Sequence, residues 1–197
     1  MTTAAAKHPK DFALLQRVAA GEEAAASEVM QKLGGEMFGF ARRMLADEQA
    51  AEDALQEALL GLLRTAGNYD GRESLRTWVF RILRNKIIDQ YRKRGRDLVV
   101  SDADPEEASF SASGHWKDND FQPWNESAEL LEVVQHCMEL LPHNQREALQ
   151  LKAIEELSAQ EASEILGVSV ANFRQILHRG RASVRKCADD KIGGSAA

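Results

Sequence analysis

The sequence predicts an all-α protein in which two small helical domains are joined by an acidic, largely irregular linker. Three observations lead there. Apolar residues recur at helical spacing over residues 11–96, as in Phe12, Leu15, Val18 and then Met37, Phe40, Ala41, Met44. The same spacing resumes over residues 128–187, with Leu130, Leu131, Val134 and then Leu149, Leu151, Ile154, Leu157. Alternating β-branched runs, the mark of a half-buried strand, are nearly absent.

Between the two helical stretches, residues 97–127 carry Asp102, Asp104, Pro105, Glu106, Glu107, then Ser109, Ser111, Ser113, Gly114, then Asp118, Asp120 and Pro123. A segment of this composition buries too little apolar area to offset its ordering entropy, so a linker is expected. Trp116, Phe121 and Trp124 are unusual in a plain tether and suggest that part of it docks. Residues 1–10 and 188–197 are expected as flexible tails, and Gly21, Gly34-Gly35 and Gly67 as breaks between helices of the first domain.

At 197 residues, 44% hydrophobic and 28% charged, the chain has the composition of an ordinary globular protein. No apolar run approaches the roughly 20 residues of a membrane helix, and the N-terminus lacks a signal-peptide core. A cytoplasmic protein without membrane insertion is expected. Cys137 and Cys187, the only cysteines, are far apart in sequence and without paired-thiol spacing, so both are read as reduced thiols. The net charge of −6 argues superficially against nucleic acid. Its distribution says otherwise.

In the first domain, a helix over residues 48–64 places Ala51, Leu55, Ala58, Leu59 and Leu62 on one face. The opposite arc holds Glu52, Asp53, Gln56 and Glu57 together with Leu60 and Leu63, which suits a protein surface meeting a basic partner. The next stretch is the basic pole: Arg72, Arg76, Arg81, Arg84, Lys86, Arg92, Lys93, Arg94 and Arg96 against Glu73 and Asp89. Helical rotation brings Trp78, Arg81, Asn85 and Arg92 to neighbouring positions, a mixture suited to single-stranded DNA, although Trp78 fits a core position equally well.

In the second domain, Ser158 followed by Glu161 has the form of a capping box, Ala162, Ile165 and Leu166 supply a buried face, and Gly167 supplies a left-handed turn. Ser169 is placed to cap the next helix, which turns Phe173, Ile176 and Leu177 inward and projects Asn172, Arg174 and Gln175 from its N-terminal end. That is the form of a DNA-binding helix-turn-helix, and Arg179, Arg181, Arg185 and Lys186 suit phosphate contacts. The plainer alternative is a helical hairpin with a solvated basic face.

No catalytic constellation or cofactor motif is present in the sequence: His8, His115, His136, His143 and His178 are scattered, and His136-Cys137 with His143 is the nearest approach to a metal site. The expectation is a protein that is not an enzyme.

With these residues in view, the chain resembles the extracytoplasmic-function sigma factors. Residues 51–57 (AEDALQE) look like the family's polymerase-binding motif, residues 77–92 (TWVFRILRNKIIDQYR) like its promoter-opening helix, and LPHNQRE at 141–147, leading through the helix-turn-helix to LHRGR at 177–181, like its third motif. The resemblance implies a region 2 domain over 11–96 and a region 4 domain over 128–187. It implies that Glu52, Asp53, Gln56, Glu57 and Leu60 hold the clamp helices of the largest subunit of core RNA polymerase. It implies that Asn68, Arg72, Ser74, Trp78, Arg81, Asn85 and Arg92 read single-stranded minus-ten promoter DNA, trapping an unstacked base. Ser169, Ala171, Asn172, Arg174, Gln175, Arg179 and Arg181 then read the minus-thirty-five element as duplex, and an anti-sigma factor is implied as regulator.

For the acidic segment, the resemblance implies a path through the polymerase cleft; a competing reading folds its acids back on the basic helices. The sequence departs from the family at Ala25-Ala26, where a large aromatic is common, at Ala54, where leucine is common, and at Phe173, where a β-branched residue is usual. Lighter packing in the first domain and a tilted recognition helix are the expected consequences. The rivals are a dimeric helix-turn-helix repressor or activator, which leaves the first domain unexplained, and a helical adaptor with no DNA role.

Overall fold

The computed structural model describes residues 6–93 and 128–193, and among them every regular element is helical. In chain order these are α1 (Pro9–Ala19), α2 (Glu23–Leu45), α3 (Glu48–Thr65), a 3-10 turn (Ala66–Asn68) and α4 (Leu75–Lys93). There follow α5 (Ala128–Glu139), α6 (His143–Leu149), a π-helical turn (Gln150–Ile154), α7 (Ala159–Leu166) and α8 (Val170–Gly193). The acidic segment with Trp116, Phe121 and Trp124, and Arg94 and Arg96 of the basic run, lie outside the described residues. No helix among the described residues is long and apolar enough to cross a membrane.

The described helices fall into two compact units, the first built on α1–α4 with α7, the second on α5, α6 and α8. In the first unit α2, α3 and α4 pack on one another, and α1 lies on α2 and α3. Phe40 of α2 and Phe80 of α4 meet with ring centroids 5.5 Å apart, a tilted aromatic pair at the centre of the core. Ala51, Ala54 and Ala58 of α3 are fully buried, and at Gly61 an added Cβ would lie 3.2 Å from the Ile82 side chain. Small residues on α3 thus let α4 approach closely, which keeps the basic helix beside the acidic one. Ala25, too, is buried completely, so the absent aromatic is accommodated by close packing.

Helix ends are set locally and across the fold. Asp47 Oδ1 accepts from Ala50 N at 2.9 Å at the start of α3. Ser74 Oγ accepts from Thr77 N at 3.1 Å, and Asp11 Oδ2, from α1, accepts from Leu75 N at 3.0 Å, so α4 begins on one local and one distant cap. Helix α1 begins on Pro9, a residue whose missing N–H costs nothing there, and His8 N donates to Gly71 O at 3.0 Å. Residues 9 and 10 therefore belong to the helix, not to a tail. At the other end, α8 extends through Lys191 and Ile192, past the expected boundary.

Other expectations need correction as well. Gly34-Gly35 does not break a helix: α2 runs through it, because a glycine lacking a reverse φ weakens a helix by only about 1 kcal/mol and packing of Leu33, Met37 and Phe40 outweighs that. Gly21, by contrast, has φ +83 and does end α1. Ile154 is not a core residue; the π turn shifts the helical phase and leaves it 49% exposed. Most consequentially, Cys137 and Cys187 are not free thiols but a disulfide joining α5 to α8. Fifty residues of sequence separation concealed a pair that helix packing brings to a Cα–Cα distance of 5.8 Å.

In the second unit, α8 packs against both α5 and α6. Phe173 is completely buried, as are Leu151 and Ala148, with Ile176 and Leu177 nearly so. At Gly180 an added Cβ would stand 3.1 Å from Leu149 Cδ1 and 3.2 Å from the Gln145 carbonyl oxygen, so a side chain would push α8 off α6.

Candidate functional site

Helix α3 divides as its sequence requires. Its alanines turn inward, and Glu52, Asp53, Gln56 and Glu57 are exposed together with Leu60, 51% exposed, and Leu63, 48%. Two half-exposed leucines amid acids form an amphipathic strip, which supplies apolar area and a charge pattern for a basic partner. Lys86 of α4 lies 3.5 Å from Glu57, so the acidic strip touches the edge of the basic helix.

The loop between the 3-10 turn and α4 is braced from below. Tyr69 is buried and packs at a tilt against Trp78, with ring centroids 5.3 Å apart, and its hydroxyl donates to the Glu73 carbonyl at 2.6 Å. Burial first, then the charges of Asp11, Glu73 and Asp70, hold the phenol well above its ordinary pKa and so keep that donor protonated. Gly71 takes φ +71, and a Cβ there would fall 2.7 Å from that of Ala6, a close approach that only glycine permits. Beyond it Arg72 projects into solvent, steadied by Asp70 at 3.2 Å, and Asn68 is likewise exposed.

Of the residues expected to form the single-strand face, Asn85 and Arg92 are exposed on α4. Arg81 is half-buried and forks onto Glu73, with Nη1 and Nη2 donating to its two carboxylate oxygens at 2.8 and 2.5 Å. Ser74 is the N-cap of α4, with its hydroxyl engaged by Thr77. Trp78 departs from expectation: at 8% exposure it is a core residue under the loop, not a platform for bases. Its position on α4 was legible, but whether that face turned toward Tyr69 or solvent was not. Tyr69, Glu73, Gly71 and Asp11 were missed as positioning residues. Asp11 had no local signal, being 64 positions from its partner Leu75 N.

On the chain's second DNA candidate, Leu166 ends α7 and Gly167 makes the turn with φ +71. Ser169 Oγ then accepts from Asn172 N at 3.1 Å, capping the start of α8. Buried Phe173, Ile176 and Leu177 fix the rotation of α8, leaving Ser169, Ala171, Asn172, Arg174, Gln175 and Arg181 exposed and Arg179 partly so. The N-terminal end of α8 is therefore a row of amide and guanidinium groups on a rigid helix, the chemistry that reads base edges in a major groove. His178 sits between the inward and outward faces. Burial first, then the charges of Arg181 and Arg179, lower its pKa, favouring the neutral ring.

Comparison with known proteins identifies the family. Residues 29–97 match the Sigma-70 region 2 family, and residues 131–184 the family described as Sigma-70, region 4. The ECF RNA polymerase sigma factor SigM of Bacillus subtilis is 33% identical over 154 residues, covering 78% of this chain and 89% of SigM. A probable RNA polymerase sigma factor of Haemophilus influenzae is 29% identical over 173 residues, covering 83% of this chain and 89% of its own length. In fold, the chain is similar to CnrH, solved in complex with the cytosolic domain of CnrY, with a TM-score of 0.65 at 24% identity, covering 91% of this chain and 97% of that one. It is also similar to the sigma factor RpoE of Bartonella quintana, solved with the anti-sigma factor NepR, with a TM-score of 0.60 at 22% identity over 82% and 94% of the two chains. The two region matches in chain order and the 33% identity to SigM over most of both chains place the chain among the extracytoplasmic-function sigma factors, which bind core RNA polymerase and direct it to promoters.

Proposed function

We propose that the individual roles within this sigma factor divide as follows. Glu52, Asp53, Gln56, Glu57 and Leu60, with Leu63 beside them, seat the first unit on the clamp helices of the largest polymerase subunit. Asn68, Arg72, Asn85 and Arg92 meet the opened minus-ten strand, while Arg81 is delivered to it by Glu73. Trp78 and Ser74 are positioning residues, the one under the loop and the other at the start of α4. Asn172, Arg174 and Gln175 read the minus-thirty-five duplex, with Ser169, Ala171, Arg179 and Arg181 toward the backbone. Residues 11–96 and 128–187 are taken as the two functional domains.

The observation that carries this reading is the exposed leucine-and-acid strip of α3 beside a basic helix. A dimeric repressor has no use for that strip. The discriminating experiment is co-purification with core polymerase followed by promoter-dependent transcription. Run-off transcripts that require both the protein and a promoter support the assignment, and failure of the protein to bind core polymerase overturns it.

The protein acts on DNA in the cytoplasm in this reading, without chemistry of its own. Regulation by an anti-sigma factor is proposed as well, since a fold neighbour was solved with one. A partner of that kind, added to the purified protein, is expected to compete with core polymerase; undiminished transcription at saturating partner would refute it.

A further inference from the structure

The disulfide between α5 and α8 is not explained by promoter recognition. Oxidised pairs in the cytoplasm are usually transient and regulatory, so a bond inside a cytoplasmic transcription factor calls for a reversible role. That cytoplasmic setting rests on the function proposed above. We propose that Cys137 and Cys187 are a redox-modification site: a peroxide oxidises them to a staple that stabilises the second unit and thereby strengthens its hold on duplex DNA.

The geometry suits such a site. The Cα–Cα separation of 5.8 Å lies where two cysteines bridge without backbone movement, and α5 and α8 are packed elements, so the pair stays adjacent when reduced. Exposure is unequal. Cys137 is 1% exposed, whereas Cys187 is half-buried on the outer part of α8, next to exposed Lys186. Cys187 therefore meets the oxidant, and Cys137 resolves it. With no third cysteine in the chain, no intramolecular exchange competes.

The chemistry balances with hydrogen peroxide as the two-electron oxidant. The Cys187 thiolate attacks one peroxide oxygen, the O–O bond breaks, and the leaving hydroxide takes a proton to become water, leaving a sulfenic acid. The Cys137 sulfur then attacks the Cys187 sulfur, the S–O bond breaks, a second water leaves and the S–S bond forms. Two thiols are oxidised and one peroxide is reduced to two waters. A dithiol reductant reverses it by exchange, ending as a disulfide itself.

The staple works through stability, not obstruction. Cys187 lies 12 residues beyond Gln175 on the same helix, roughly 18 Å from the reading end. The bond closes a loop with a sequence separation of 50 that takes in α6, α7 and the reading end of α8. Cross-linking a loop of that length removes much of the unfolded chain's freedom, and a helical unit of this size has little stability to spare.

The test uses the full chain, held either in a dithiol or in hydrogen peroxide and freed of excess reagent. Intact mass should show loss of two hydrogens on oxidation, and unfolding of the second unit should move up by about 15–30 °C. Just above the reduced midpoint, oxidised protein should retain binding to a minus-thirty-five duplex that reduced protein has lost. Cys187→Ser, at the less buried position, and Cys137→Ala should each abolish the mass change and the redox-dependent shift while folding under reducing conditions. Thiols that persist in peroxide, or a bond that forms without raising the midpoint, overturn the staple. A raised midpoint with no duplex binding in either state instead overturns the assigned role of α8.

Discussion

Replacing Leu60 and Leu63 of α3 together with alanine isolates the apolar part of the strip proposed to meet polymerase. Fully burying a leucine is worth about 1.5–3 kcal/mol. In the free protein about half of each side chain is already covered, since the two are 51% and 48% exposed. The part left for a partner to cover is then worth about 1 kcal/mol per residue, and the pair about 2 kcal/mol. At 1.4 kcal/mol per tenfold, the double variant should bind core polymerase roughly 30-fold more weakly. The halves already covered are worth a similar amount to the fold, so the unfolding midpoint should fall by roughly 8–16 °C while the variant stays folded at the assay temperature. Fluorescence anisotropy of labelled protein titrated with core polymerase measures the first quantity, and thermal unfolding the second. An unchanged dissociation constant in the folded variant would show that this strip is not the contact surface. A loss of affinity in a variant already partly unfolded at the assay temperature would show instead that the two leucines serve the fold.

Gly71→Ala should destabilise the first unit by about 2–4 kcal/mol, from a left-handed alanine together with overpacking against Ala6 and Phe12, read as a lower unfolding midpoint. Arg174→Ala should cost about 1–3 kcal/mol on a preferred minus-thirty-five duplex and flatten discrimination between sequences in competition binding, whereas Arg181→Ala should lower affinity evenly and reduce the salt dependence. His178 binds fewer protons folded than unfolded, because its pKa is lowered in the fold from an ordinary 6.5. The stability it contributes is therefore full above about pH 6.5 and is lost as pH falls below that value. Chemical denaturation across this range should show a steeper acid loss in the native protein than in His178→Gln, and identical slopes would refute the assignment. Tyr69→Phe should leave the packing against Trp78 in place while removing the bond to the Glu73 carbonyl, costing about 1 kcal/mol and weakening minus-ten strand binding through the loop.

Local pattern carried much of this protein. Glycine followed by serine at 167 and 169 specified a turn and a cap, and both are present as a left-handed φ and a bond from Asn172. The rotation of α3 followed from alanine and leucine spacing, since a helix of known period permits only one side to face a core. The glycine pair in α2 was misread because a helix-weakening residue ends a helix only when the surrounding packing does not hold it. Trp78 had two acceptable positions, and composition alone does not choose between them.

Periodicity and capping thus determined the helical class, the buried faces of α3 and of the start of α8, and the separation of acidic from basic surface, because these depend on residues within a turn or two of one another. Tertiary structure decided which distant groups meet: Asp11 with the start of α4, Glu73 with Arg81 under a loop braced by Tyr69 and Trp78, and Cys137 with Cys187. Those contacts arise from how helices pack, and packing depends on the shapes of whole faces rather than on any local run of residues.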